Sequence, residues 1–292
     1  MTENRRPAAR DGASGAAAGR RSHDLRATGV TLAYGEHTVA RDLDVVIPDG
    51  KVTSIIGPNG CGKSTLLRAL SRLLAPQAGT VALDGVPLAQ HRPKPLARVL
   101  GLLPQQPVAP EGITVADLVG RGRSPHQGLF GRWTRRDHEV VAAALADTGT
   151  TELADRCVDE LSGGQRQRVW IAMAIAQETD ILLLDEPTTF LDVANQLEVL
   201  DLMAEHNRRR GTTVVMVLHD MNMAGRYSDH LVAMRAGSVV ATGTPDEVLT
   251  PGTLRDVFGI DSEVLVDPVS GTPLVSPRGL GGPHGARKGA AR

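Results

Sequence analysis

The chain has 292 residues, 41% of them hydrophobic and 22% charged, with a formal net charge of −1. A core of ordinary size is within reach, and it must be built from Leu, Val, Ile and Ala because aromatics make up only 2%. Near-neutral charge excludes a general electrostatic pull toward nucleic acid or an anionic bilayer, the two cysteines exclude a disulfide framework, and no apolar run reaches the roughly 18 residues of a membrane span.

Residues 1–23 are rich in Ala, Gly and Arg without periodicity, which predicts a disordered tail. The pairs Arg5–Arg6 and Arg20–Arg21 precede no apolar stretch, so no secretion signal is expected, and Cys61 and Cys157 are expected as thiols in a reducing, cytosolic setting. GVTLAYGEHTVARDLDVVIP, from Gly29, and VALDGVPL, from Val81, read as short antiparallel strands with turns. VTSII (Val52 to Ile56), ILLLD (Ile181 to Asp185) and TTVVMVLH (Thr212 to His219) are near-continuous apolar runs, the pattern of strands buried on both faces. They alternate with the helical patterns KSTLLRALSRLL, NQLEVLDLMAEHNRRR and MNMAGRYSDHL, which predicts an α/β core with a mostly parallel sheet. From about Pro107 to Gln177 the patterns are helical without strands, as in ITVADLVGRGR and RRDHEVVAAALADTG, and predict a helical insertion. The domain is expected over 24–262, with 263–292 a mostly disordered C-terminal tail.

GPNGCGKST, Gly57 to Thr65, sits between a predicted strand and a predicted helix, the context that a G-x-x-x-x-G-K-[ST] phosphate loop needs. Its glycines let successive N–H groups converge on phosphate oxygens, Lys63 reaches the β/γ-phosphates and the Ser64 hydroxyl can ligate Mg²⁺. Pro58, Asn59, Gly60, Cys61, Gly62 and Thr65 complete the loop. Cys61 reads as a small filler whose thiol should make nucleotide binding sensitive to alkylation. ILLLDEP carries Asp185 and Glu186 to the C-terminal end of a strand, where α/β folds place ligands: Asp185 for Mg²⁺, Glu186 as the general base that polarises water. His219 ends the next strand, either as a surface or capping residue or as a sensor of the γ-phosphate. DELSGGQRQRVWIAMAIAQ, from Asp159, opens a helix with Ser162 as a cap and Gly163 and Gly164 leaving N–H groups uncovered. That is a second anion site in a chain that already has one.

LSGGQ (Leu161 to Gln165), with the phosphate loop, ILLLDEP and VLHD in that order, resembles the ATP-binding cassette (ABC) family over about residues 25–262. The resemblance implies the ABC ATPase fold, that is a P-loop core with an antiparallel β subdomain and a helical insertion, with MgATP as substrate. It also implies a head-to-tail homodimer in which Ser162, Gly163, Gly164 and Gln165 meet the nucleotide held by the partner's phosphate loop. Residue by residue, Tyr34 in LAYGEH matches the aromatic that stacks on adenine, with a turn tyrosine as the alternative. Gln105 in LLPQQ matches the glutamine that contacts Mg²⁺ and the attacking water, Gln106 being the other candidate. Asp192 in FLD matches the aspartate that crosses the dimer interface.

ITVADLVGRGRSPHQGLFGRWTRRD and VLHDMNMAGRYSDHLVAMRAGSVVATGTPDEVL are similar to ATPases of ferric-siderophore, haem and cobalamin importers. They imply an ATPase subunit peripheral to the cytoplasmic face of the membrane, bound to a separate permease and served by an extracytoplasmic binding protein. Ferric siderophore is the expected cargo, with cobalamin or haem as alternatives, and an exporter subunit or a soluble cassette acting on DNA or ribosomes as competing classes. Arg121, Arg123, Arg132, Arg135 and Arg136 with Trp133 read as a solvated face, a nucleic-acid patch or a permease dock; no nucleic-acid partner is expected.

Overall fold

The computed structural model of the chain describes residues 21–128 and 132–278. Most of the expected N-terminal tail (1–20) and the end of the expected C-terminal tail (279–292) lie outside the described residues.

In chain order the elements are β1 (Leu25–Tyr34), β2 (His37–Ile47), β3 (Val52–Ile56), α1 (Lys63–Leu70), β4 (Ala78–Leu83), β5 (Val86–Pro87), α2 (Pro93–Leu96) and β6 (Leu100–Leu103). There follow α3 (Val115–Arg121), α4 (Arg135–Asp147), α5 (Gly163–Ala176), β7 (Ile181–Leu184), α6 (Val193–Arg210), β8 (Thr213–Val217), α7 (Met221–Tyr227), β9 (His230–Arg235) and β10 (Ser238–Gly243). The last are α8 (Pro245–Val248), α9 (Pro251–Phe258), β11 (Ser262–Val266) and β12 (Pro273–Pro277).

A six-stranded sheet in the order β10-β9-β3-β8-β7-β6 forms the centre. Its pairs from β9 to β6 are parallel and only β10 runs antiparallel, against β9. Every residue of β3, β7 and β8 is buried, which is why their sequences show no alternation. The predicted strands are thus present, and the flanking strands form a second sheet, β2-β1-β4-β5, wholly antiparallel. Those flanking strands were expected to be short; β1 and β2 instead span 10 and 11 residues. Shifts in their register mark bulges, which break the clean period of two. One apolar cluster joins this sheet to α1 and the adjoining face of the central sheet, and a second packs the other face against α3, α4, α5 and α6.

Among the described residues between β6 and β7 the regular elements are helical, apart from one bridge between Thr114 and Cys157. Thr134 caps α4 in a reciprocal box with Asp137. Arg123, 3% exposed, pins this insertion: Nε donates to Asp137 Oδ1 at 2.9 Å and Nη1 to the Ala176 carbonyl at 2.7 Å and to Glu178 Oε2 at 2.9 Å. Although burial opposes it, hydrogen bonds from Thr134 and Arg123 hold the Asp137 carboxyl at a pKa of about 2.

This network takes Arg123 out of the expected arginine patch, whereas Arg135, paired with Glu139, and Arg136, paired with Glu178, remain exposed, and Trp133 packs over the Cα of Gly120 and beside His138. Both expected tail boundaries also shift. His23 is buried, with Nδ1 2.8 Å from Asp84 and Nε2 3.0 Å from Asp180, so the fold begins before residue 24. After residue 262, β11 and β12 pair as a hairpin whose Val275 exchanges backbone hydrogen bonds with the Asn222 side chain. Among the described residues no helix is long and apolar enough to cross a membrane.

Candidate active site

The loop between β3 and α1 is shaped by backbone that most residues cannot adopt. Gly57, Gly60 and Gly62 all take positive φ, and a Cβ on Gly57 would collide with the Met234 carbonyl oxygen and lie 2.8 Å from Cys61 Sγ. Lys63 opens α1 with its ammonium turned back into the loop, donating to the carbonyls of Gly57 at 2.9 Å and Pro58 at 3.0 Å. The loop thereby holds a fixed cation beside uncovered N–H groups, the chemistry of a phosphate cradle. Cys61 is 4% exposed and burial pushes its thiol pKa up, both of which slow its alkylation.

β7 delivers the two carboxylates. Ser64 Oγ donates to Asp185 Oδ1 at 2.7 Å. Burial raises the Asp185 pKa and the charge of Glu186 adds to it, against the pull of that hydrogen bond. Glu186 has φ 52, an uncommon conformation for a residue with a side chain. Its Oε2 accepts from Gln105 Nε2 at 2.6 Å and Thr189 Oγ1 at 2.9 Å, and lies 2.8 Å from His219 Nε2. Burial works to raise the Glu186 pKa, but the His219 and Thr189 hydrogen bonds prevail and lower it, so the group is ionised at neutral pH. An ionised carboxylate held by three donors is placed to accept a proton from water.

Asn59, Gly60, Gly62, Lys63, Ser64 and Thr65 of the loop line one cleft of about 560 Å³ together with Gln105, Glu186 and His219, whereas Gly57, Pro58, Cys61 and Asp185 are not in its lining, Asp185 meeting it through Ser64. Thr189 and Val39 also line it. Sequence reading named neither; the signal for Thr189 was its place three residues after Glu186 in a tight turn. Of the adjacent glutamines, it is Gln105 that reaches Glu186. The hydroxyl of Ser64, the carboxylate of Asp185 and the amide oxygen of Gln105 are hard oxygen donors, the set that Mg²⁺ takes.

Three further predicted groups sit apart from the cleft lining. Tyr34, 45% exposed at the end of β1, accepts a hydrogen bond from Arg68 Nη1 of α1 at 3.1 Å. Ser162 caps α5 in a box with Gln165: Ser162 Oγ accepts from Gln165 N at 3.3 Å and Gln165 Oε1 accepts from Ser162 N at 3.1 Å. Gln165 thereby shapes the helix end, while the first-turn N–H groups of Gly163 and Gly164 have no intrahelical acceptor. Asp192 caps α6, its Oδ1 accepting from the Asn195 backbone and side chain, both at 2.8 Å. Asn195, which sequence reading overlooked, also lies where a Cβ on Gly164 would go, so the caps of α5 and α6 touch.

A strand–loop–helix phosphate cradle beside paired carboxylates at the end of a parallel strand defines a P-loop nucleoside-triphosphate hydrolase. Residues 40–189 match the ABC transporter family. The chain is 54% identical to the ferric enterobactin transport ATP-binding protein of Escherichia coli, covering 90% of this chain and 97% of that one. It is 49% identical to the iron(3+)-hydroxamate import ATP-binding protein of Bacillus subtilis, covering 83% and 90%. The dimeric structure of a bacterial ABC transporter cassette superposes with a TM-score of 0.68 at 28% identity, covering 76% of this chain and 98% of that one. The chain belongs to the ABC transporter family, among its ATP-binding subunits.

Proposed function

We propose that this chain is the ATP-hydrolysing subunit of a ferric-siderophore importer. It acts as a homodimer at the cytoplasmic face of a separate permease, which an extracytoplasmic binding protein serves. The observation that carries the catalytic part is the single cleft in which Lys63, Ser64, Gln105, Glu186 and His219 converge. Near-full-length identity of about half to two iron-chelate transport subunits supports the cargo.

In this reading Lys63 and the loop N–H groups bind the phosphates of ATP, and Tyr34 stacks on adenine. Ser64, Asp185 and Gln105 hold Mg²⁺, which when bound neutralises charge on the β- and γ-phosphates. Glu186, oriented by His219, Gln105 and Thr189, takes the proton of the attacking water. The N–H groups of Gly163 and Gly164 serve the nucleotide of the second chain, and Asp192 lies at the interface between the two.

Uptake of labelled iron chelates into cells with and without this chain tests the assignment, with catecholate and hydroxamate siderophores, haem and cobalamin as separate arms. Loss of siderophore uptake, restored by the wild-type chain and not by Glu186→Gln, is expected. Loss confined to haem or cobalamin overturns the cargo, and undiminished uptake of all four overturns the importer reading.

A further inference from the structure

The donors around Glu186 are distributed unevenly over its two oxygens. Gln105 Nε2, Thr189 Oγ1 and His219 Nε2 lie 2.6, 2.9 and 2.8 Å from Oε2, and among the described residues no donor meets Oε1. The Glu186 side chain is only 11% exposed, yet Oε1 is not among the buried polar atoms left without a partner, so it keeps an opening to solvent. Glu186 lines the phosphate-loop cleft, and of its two oxygens only Oε1 has acceptor capacity to spare.

The three donors also differ in how they are tied to Glu186. Gln105 follows β6 and His219 follows β8, so each reaches across from another strand. Thr189 sits three residues on in the same turn, half-buried, and lines the same cleft. Its backbone N–H donates to the Glu186 carbonyl at 3.2 Å while its hydroxyl donates to the Glu186 carboxylate, so one residue fixes both the main chain and the side chain of Glu186. The turn runs between two left-handed residues with side chains, Glu186 at φ 52 and Phe190 at φ 65, a conformation that persists only where its surroundings hold it.

We propose that Thr189 is a positioning residue for hydrolysis: its hydroxyl fixes Oε2 of Glu186, so that Oε1 is the atom that takes the proton of the attacking water. This rests on the reading of Glu186 as the general base. In the step, one O–H bond of the water breaks and its proton passes to Oε1. The water oxygen bonds the γ-phosphorus as the bond from phosphorus to the bridging oxygen breaks, its electron pair leaving with ADP. Oε2 becomes the carbonyl oxygen of a neutral carboxyl and still accepts from the same three donors, so the site needs no rearrangement during proton transfer.

The test is steady-state hydrolysis of radiolabelled ATP by the full chain assembled in its transporter, comparing Thr189→Val with Thr189→Ser. Thr189→Val, which keeps the shape and removes the hydroxyl, should lower kcat at least about tenfold with KM for ATP changed less than about twofold. Thr189→Ser, which restores the hydroxyl, should stay within about threefold of wild type. In a Glu186→Gln background, adding Thr189→Val should change the residual turnover less than about twofold, because the threonine acts through the carboxylate. Thr189→Ala carries the test if the valine variant fails to fold. A wild-type kcat in the folded valine or alanine variant, a serine variant as slow as valine, or an equal loss in both backgrounds overturns the proposal. Undiminished turnover of Glu186→Gln overturns the base reading itself, whereas loss there beside a wild-type rate for Thr189→Val overturns the role of Thr189 alone.

Discussion

Replacing His206 by Leu should remove a block of acid sensitivity from this protein. The ring is buried on α6, with Arg210 on its own helix, Asp147 approaching from α4 and Arg168 from α5. Burial lowers its pKa from 6.5 to about 4. Below about pH 6.5 the unfolded chain takes up a proton that the folded chain refuses until about pH 4, so stability falls as pH drops through that window. At about 1.4 kcal/mol for each unit, the whole window is worth about 3 kcal/mol, of which about 2 is already lost by pH 5. Urea unfolding of wild type and His206→Leu at about pH 7.5 and about pH 5 isolates this contribution, because every other titrating group is common to both. Wild type should lose about 2 kcal/mol more than the variant across that interval. Parallel losses in the two proteins refute the argument, whatever their absolute stabilities.

Glu186→Gln should keep ATP binding while lowering turnover at least about 100-fold, with a closed two-chain species accumulating in size-exclusion chromatography; unchanged turnover removes Glu186 as the base. In the folded protein, Cys157 should react with a thiol reagent well before the buried Cys61, and equal rates in a time course would contradict the burial of the loop. Asp137→Asn should cost about 3 kcal/mol in denaturant unfolding at neutral pH, because it leaves the Arg123 charge buried with one partner fewer. A loss below about 0.5 kcal/mol would place that network among exposed pairs of little consequence.

The parts most legible in the sequence were those in which local chemistry dictates local shape. The phosphate loop needs glycine where backbone must pass the Met234 carbonyl, and strands buried on both faces cannot alternate, so GPNGCGKST and ILLLDEP declared their roles. Short or bounded elements were harder. LGLL of β6 is four residues long, and the HL that opens β9 was absorbed into the helical pattern of α7, which stops at Tyr227. The hairpin of β11 and β12 was read as tail because Pro and Gly punctuate it, whereas its packing depends on Asn222, some fifty residues earlier. Arg123 shows the limit in the other direction. An arginine among arginines looks solvated in sequence, and only the fold reveals Asp137, Glu178 and the Ala176 carbonyl around it.

The second anion site expected at the start of α5 stands apart from the first: none of Ser162, Gly163, Gly164 and Gln165 is among the described residues that line the phosphate-loop cleft. It does have a mechanical neighbour. Asn195 fills the space over Gly164 and binds Asp192 through both backbone and side chain, so the start of α5 and the start of α6 are joined at their caps. Flanking Asp192 are Phe190, 91% exposed with φ 65, and Val193, 64% exposed, an apolar pair that a monomer leaves in water. On the two-chain reading these features belong together. A partner would then cover Phe190 and Val193 beside the Asp192 turn, and the contact of Asn195 with both Asp192 and Gly164 places that apolar surface next to the glycines proposed to serve the partner's nucleotide.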